Sequence, residues 1–266
     1  MGRFTYMTEK RAAIVTGGTR GIGEDISLAL AQNGNGVLAV YRSNDERAQQ
    51  LKKRLQKISP ESDILKADIS TQTGVDRAVD ETISRFGRID ILVNNAATFD
   101  FVFVEDMEEG FLDNMMKVNF MSQFLMIKAC TVHMKKQKFG RIINASSISG
   151  ELSDVGLVAY AASKAAVNMM TKICAAELAP YNITVNAYAP GIVHTDLTAG
   201  MIAERGHIQV KQIPLNRFGK GEEVGALVVF LASEGAGYIT GEIIGVDGGM
   251  MKVQNPYRAH EHAKKS

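Results

Sequence analysis

Short runs rich in β-branched residues alternate with longer segments of helical period along nearly the whole chain, and nothing else in the sequence restricts the fold as strongly. The short runs fall at 12–16, 37–41, 64–68, 89–94, 141–146, 184–188 and 242–246. Between them, segments such as 22–32, 75–86, 107–136 and 159–178 place apolar residues three and four apart, the spacing that lines one face of a helix. Strands that are apolar almost throughout need cover on both faces, and a helix joining each parallel pair supplies it. The expected fold class is therefore α/β: a single doubly wound domain on a seven-stranded parallel sheet, with helices on both faces. That domain is expected to span 1–251, with a substrate lid at about 194–214 and a polar C-terminal tail at 252–266. The lid belongs to a connection, 191–214, that shows no clear strand, and long connections of this kind are often binding loops.

Composition removes several function classes. With 45% apolar and 22% charged residues, the chain is not of the weakly hydrophobic, highly charged kind that stays disordered. Its longest apolar run, 226–232, is far short of the ~18–20 residues of a membrane span. A net charge of +1 lacks the basic excess that marks nucleic-acid binders. Residues 1–10 lack the apolar core of a secretory signal, and Tyr6 stands where a myristoylation motif after Gly2 needs Ser or Thr. Cys130 and Cys174 are too few for a disulfide framework and lie in helix-like apolar patterns. They are expected to be buried free thiols in a reducing, cytoplasmic compartment. His260 and His262 are metal-ligand types, but they sit in the polar tail. No cluster has metal-ligand spacing, so metal-free chemistry is expected.

The first short run leads into Thr16-Gly17-Gly18-Thr19-Arg20-Gly21-Ile22-Gly23 and straight on into a helix. Glycine permits the turn, and a missing Cβ lets a pyrophosphate approach the main chain. The helix N-terminus offers it free N–H groups. Opening the first strand–helix unit, this is the context of dinucleotide binding and makes the expected fold Rossmann-type. The glycine spacing is Thr-Gly-x-x-x-Gly-x-Gly. Asn94-Asn95-Ala96, Asn119, Ser147, Tyr160-Ala161-Ala162-Ser163-Lys164, Pro190-Gly191 and Gly245-Val246-Asp247-Gly248-Gly249 follow in order. With these motifs the chain resembles the short-chain dehydrogenase/reductase family over about residues 10–250. Ala97 departs from the glycine-like residue usual in that family but remains small.

The resemblance implies an oxidoreductase with a nicotinamide dinucleotide. Gly17, Thr19, Arg20, Ile22, Gly23, Asp68 and Ile69 would bind it, with the glycine turn at its pyrophosphate and Asp68 at the adenine amino group. Asn95, Ala96, Tyr160, Lys164, Pro190, Gly191, Val193 and Thr195 would line the nicotinamide half. An NAD enzyme places a carboxylate at the end of the second strand. Here that position is Tyr41, followed by Arg42 and Ser43. Arg42 and Arg20 are the residue types that clamp a 2′-phosphate by charge-assisted hydrogen bonds, so the expected cofactor is NADP(H). Asp45 and Glu46 read as the acidic first turn of the next helix.

Tyr160 and Lys164, four residues apart, project from one helix face. A phenol is a poor base at neutral pH, and a neighbouring ammonium lowers its pKa. The resemblance implies a catalytic set of Asn119, Ser147, Tyr160 and Lys164. In it Ser147 donates to the substrate carbonyl, Tyr160 delivers the proton, Lys164 tunes Tyr160 and holds the nicotinamide ribose, and Asn119 holds a relay water. A helix-kink side chain bonded to backbone is the rival role for Asn119, compatible with the first. His194 adjoins the nicotinamide loop, but Tyr160 already supplies the acid. Substrate contacts are expected from Phe99, Ser147, Leu152 and Tyr160, within walls formed by Phe99, 149–158 and 198–214.

The nearest subgroup by pattern is the 3-oxoacyl-(acyl-carrier-protein) reductases, through Ile213-Pro214-Leu215 before Arg217-Phe218-Gly219; Phe99-Asp100 departs from it. The expected reaction is NADPH-dependent reduction of a ketone to a secondary alcohol, with a 3-oxoacyl thioester as first substrate class. A sugar, polyol or other small ketone is the alternative. A non-catalytic NADP(H) sensor is the alternative of another class, and intact Ser147, Tyr160 and Lys164 speak against it. An acyl carrier protein would need basic residues beside the pocket, for which Lys135, Lys136 and Lys138 offer a patch. The family's usual assembly implies a homotetramer, with 107–136 and 159–178 pairing through Phe120, Phe124 and Met169, and 237–249 making the second contact.

Overall fold

The computed structural model describes residues 10–152 and 154–264. The expectations for the first nine residues, for Ser153 in the cleft wall and for the last two tail residues lie outside the described residues. Seven strands form: β1 (Ala12–Thr16), β2 (Gly36–Tyr41), β3 (Asp63–Lys66), β4 (Ile91–Asn94), β5 (Gly140–Ala145), β6 (Ile183–Pro190) and β7 (Ile243–Val246). They make one seven-stranded parallel sheet, as the alternation predicts, in the order β3-β2-β1-β4-β5-β6-β7 that only the structure supplies. Successive side chains of a strand point to opposite faces, and the core divides accordingly. Ala13 and Val15 of β1 join one apolar cluster, which α1 (Gly21–Gln32), α2 (Asp45–Ile58) and α8 (Gly221–Ala232) cover. Ile14 joins the other, beneath α3 (Gln72–Phe86), α5 (Ser122–Gln137) and α6 (Val158–Leu178).

Four stretches differ from expectation. The segment 107–136 is not one helix: α4 (Glu109–Met116) passes through a wide π-type turn, Lys117–Met121, before α5. The connection 191–214 contains a helix, α7 (Ala199–Gln209), whose weak amphipathicity hid it. The polar tail carries α9 (Tyr257–Ala263), and His260 Nε2 lies 2.8 Å from the Pro214 carbonyl oxygen, which ties that helix to the end of the lid. Strand β4 starts at Ile91 rather than 89 because Asp90 turns its carboxylate inward, accepting from Ala12 N at 2.9 Å and from Arg88 at 2.7 and 2.8 Å. No described helix is long and apolar enough to cross a membrane.

Candidate active site

Strand order reverses between β1 and β4, and a crevice opens beyond the carboxyl ends of strands at such a switch point. The residues singled out in the sequence follow those ends: Gly17 after β1, Arg42 after β2, Asp68 after β3, Asn95 after β4, Ser147 after β5 and Gly191 after β6. The glycine turn is shaped by contact. Gly17 has φ +60°, and a Cβ there would stand 2.9 Å from Ala96 Cα; one on Gly23 would overlap the Gly17 carbonyl. Asn95 fastens this turn, its Nδ2 donating to the Thr16 and Gly17 carbonyls at 3.0 and 3.1 Å. Thr16 Oγ1 in return accepts from the N–H groups of Asn95 and Ala96 at 2.9 and 3.1 Å. No side chain caps the first turn of α1. A glycine cradle beneath an uncapped helix N-terminus fits a dinucleotide pyrophosphate.

Around the far strands, Arg20, Arg42 and Ser43 are exposed, whereas Thr19 and Ile69 are buried and Ile22 half-buried. Asp45, the nearest carboxylate after β2, is already engaged by Lys66 Nζ at 2.7 Å and the Tyr41 hydroxyl at 3.0 Å. Asp68 folds back to accept from Ser70 N and Oγ at 3.0 and 2.7 Å. Burial works to raise its pKa, but these bonds and the charges of Arg42 and Lys117 hold it below the usual carboxylate range. That places the Arg42 charge in the field of Asp68, the residue expected at the adenine.

Ser147 leaves β5 in extended conformation and accepts from Ser149 N through Oγ, capping a short turn, Ile148–Gly150. Tyr160 stands in the first turn of α6 and Lys164 one turn on, as their spacing requires. The chain brings all three together: the Ser147 side chain is near enough to the Tyr160 phenol to oppose the rise in its pKa, and Lys164 Nζ lies 5.6 Å from the phenol ring centroid. Lys164 is 1% exposed, and its Nζ donates to the Ala145 carbonyl at 2.8 Å. Burial raises the phenol, with Ser147 opposing it, and burial brings the Lys164 amine down to about 7. The expected lowering of the phenol by a neighbouring ammonium is therefore not the dominant effect in the protein alone.

Asn119 lies in the π-type turn with its amide committed to the Thr98 backbone and the Ser163 hydroxyl. Oδ1 accepts from Thr98 N at 2.8 Å, and Nδ2 donates to Thr98 O at 2.9 Å and Ser163 Oγ at 3.1 Å. It pins the segment leading to Phe99, whose ring meets Tyr160 edge-on at 4.9 Å between centroids. Phe101 stacks edge-on against Phe99 at 5.0 Å, and Val102 N donates to Gly156 O at 2.9 Å, closing this wall onto the 154–156 turn. Leu152 and Val155 are exposed at the rim; Leu157, expected to line the cleft, is buried instead. On the lid side, Thr198 Oγ1 bonds Val193 O at 2.6 Å and accepts from Thr195 N at 3.0 Å, bracing the loop. Thr195 stands beside Gly21, and Asp196 pairs with Arg47 of α2 at 3.3 Å. Pro190 closes β6, Gly191 N donates to Val246 O at 3.0 Å, and His194 is exposed.

Two expectations are corrected. Lys135, Lys136 and Lys138 sit at the carboxyl end of α5, just before β5 begins. They therefore flank the edge of the sheet opposite the reactive cluster and form no patch beside the pocket. Cys174 is only half-buried, unlike Cys130, because α6 turns that side toward solvent. Three residues take supporting roles that the sequence does not assign to them. Tyr188 reads as an apolar strand residue, yet its hydroxyl donates to Asn95 Oδ1 at 2.9 Å. Thr16 closes β1 inside the glycine motif. Gln123 looks like a polar interruption of a helix, yet it is buried and shares the Ala145 carbonyl with Lys164, at 3.3 Å. Only partners distant in sequence give these residues meaning.

A reversing parallel sheet with a glycine cradle and a Ser–Tyr–Lys cluster at its carboxyl edge defines a dinucleotide-binding oxidoreductase scaffold. The comparisons with known proteins narrow this. A family model described as enoyl-(acyl carrier protein) reductase matches residues 17–251, and the chain belongs to the short-chain dehydrogenase/reductase family. It is 38% identical over 240 residues to the 3-oxoacyl-[acyl-carrier-protein] reductase FabG of Staphylococcus epidermidis, covering 90% of this chain and 98% of that protein. Among solved structures, a putative short-chain alcohol dehydrogenase from Sinorhizobium meliloti superposes with TM-score 0.90 at 32% identity, covering 94% of this chain and all of the other. YwfH, titled an NADPH dependent reductase involved in bacilysin biosynthesis, superposes with TM-score 0.86 at 30% identity, covering 92% and 100%. The protein is thus an oxidoreductase acting on CH–OH groups or the corresponding carbonyls.

Proposed function

We propose that the protein reduces a 3-oxoacyl thioester to the 3-hydroxyacyl thioester with NADPH, Tyr160 supplying the proton, as a homotetramer in the cytoplasm. The observation that carries this reading is the Ser147–Tyr160–Lys164 cluster at the carboxyl edge of the sheet beside the glycine cradle, with Ser147 and Lys164 buried and Tyr160 half-buried. The FabG relatives favour the thioester, and an acyl carrier protein is the natural carrier of it. For NADPH the support is Arg20 and Arg42, exposed with no competing carboxylate left at the end of β2, since Asp45 is held by Lys66 and Tyr41.

When bound, the reduced nicotinamide supplies the hydride. Ser147 holds the carbonyl oxygen by donating to it, and the Tyr160 O–H, raised in pKa by burial, keeps its proton until negative charge develops on that oxygen. Transfer then leaves a phenolate, which Lys164 stabilises by moving its proton-bearing Nζ from the Ala145 carbonyl toward the phenol and ribose side. Asn119 fixes the Thr98–Phe99 wall against Tyr160, so the phenol has one orientation. The test is NADPH oxidation with acetoacetyl-CoA, with Tyr160→Phe as the blank. A rate that falls at least about a hundredfold in the variant, with NADPH affinity retained, is expected. A rate that survives Tyr160→Phe removes the assigned donor. No rate with NADPH bound moves the substrate to a sugar or other ketone.

A further inference from the structure

The opposite edge of the sheet, across the full length of the strands from the reactive cluster, holds a second concentration of charge. Arg11 precedes β1, Arg88 precedes β4, Arg141 is the second residue of β5, and Asn182 precedes β6. Together with Phe139 and Glu234 they line a cavity of about 400 Å³. Three guanidinium groups meet there with two carboxylates. Arg11 bonds Glu234 at 3.0 Å, and Arg88 grips Asp90 through two bonds of 2.7 and 2.8 Å. Arg141 has no carboxylate partner among the described residues. It is 3% exposed. Its Nε and Nη1 donate to the carbonyls of Ser233, Gly140 and Asn182 at 3.4, 2.9 and 3.5 Å, and Nη2 has no partner.

The Nη2 edge is not sealed off but opens to the cavity, where an anion can meet it with charge-assisted hydrogen bonds. The surroundings hold it ready. Phe139 carries the Arg11 and Arg141 guanidinium carbons 4.1 and 4.4 Å from its ring centroid. Such stacking fixes the plane of the Arg141 guanidinium and leaves its Nη2 directed sideways, where its N–H groups can donate to an anion. Nothing in the proposed reduction uses any of these residues. We propose that this cavity is a phosphate-binding site, taking free phosphate or the phosphate of a phosphomonoester, separate from the nucleotide crevice.

Two substitutions shift its charge balance in opposite directions while keeping all three arginines. Asn182 has φ +58° in a left-handed turn that aspartate also tolerates, and Glu234 is exposed. The apparent affinity of the full chain for inorganic phosphate and for glycerol 3-phosphate would be read by thermal shift against sodium chloride at equal ionic strength. Asn182→Asp is expected to weaken phosphate about tenfold and Glu234→Gln to tighten it about threefold, from one unit of charge at short range. Arg42→Ala, which alters only the nucleotide crevice, should leave it unchanged. Glycerol 3-phosphate matching phosphate identifies a phosphomonoester site, and its exclusion identifies a free-phosphate site. The proposal is overturned by the absence of a phosphate-specific shift, by affinities that ignore both rim substitutions, or by loss of the response in Arg42→Ala.

Discussion

Lys164 stands where a charge is least welcome, and the cost of that placement is measurable. Burial lowers its pKa from 10.5 to about 7. Between those values the unfolded chain binds the extra proton, so the contribution of Lys164 to stability rises with pH across that window. Below pH 7 the folded protein carries a buried ammonium, at a cost of up to about 5 kcal/mol. Lys164→Met should therefore be more stable than wild type at pH 6, with the gap closing toward pH 10, when both are unfolded by urea. Reductase activity should fall at least about a hundredfold in the same variant. A gap independent of pH would mean that Nζ is not desolvated. Arg42 is tested by binding alone: Arg42→Ala should raise the Kd for NADPH about tenfold and barely alter that for NADH. Equal effects on the two cofactors would remove the phosphate clamp.

Among the elements, the contact of α1 with α8 carries its own titratable group. Asp25 of α1 faces the amino end of α8 so closely that a Cβ on Gly221 would overlap its carboxylate. Burial, then Glu222 and Glu24, raise its pKa to about 6. A raised carboxyl favours the folded state fully below its ordinary 3.8, and that advantage is lost as pH rises through 6. Asp25→Asn keeps the shape and removes the loss. It should stabilise the protein by about 1 kcal/mol at pH 8, discounted for partial exposure, and give no gain at pH 3.5. Urea midpoints at the two pH values check this. The Lys117–Met121 turn shows the same dependence on partners. In sequence, 107–136 has one continuous helical period, but Asn119 must reach Thr98 and Ser163 at once, and the helix widens there.

For the whole molecule, the uncovered apolar surface argues for assembly. Along α6, Val158, Met169 and Ile173 are about half exposed, with Ala162 and Ala165 exposed between them, and Met121, Phe124 and Val132 form a matching stripe on and before α5. A continuous apolar face of this kind marks a protein interface. Strand β7 ends the sheet as an edge among the described residues, and Tyr238 nearby is fully exposed, a second surface that the proposed homotetramer would use. Met169→Glu should break the proposed tetramer down to dimers or monomers in sedimentation equilibrium while the circular dichroism spectrum is kept. An unchanged sedimentation pattern would place the interface elsewhere.

Chain order and residue type alone determined the seven parallel strands, the glycine turn and the Tyr160–Lys164 face, because each rests on local period or on a spacing within one helix. They also placed the acidic first turn of α2 correctly, at Asp45 and Glu46. What the residues around that framework do was decided only by tertiary structure. Tyr188 supports Asn95 from 93 positions away, and Arg141 reaches Ser233 across 92. The carboxyl end of α5 carries its lysines away from the reactive edge because α5 runs against the strands. Desolvation is likewise a property of packing: burial reverses the simple expectation for the Tyr160–Lys164 pair, and no spacing of residues along the chain announces it.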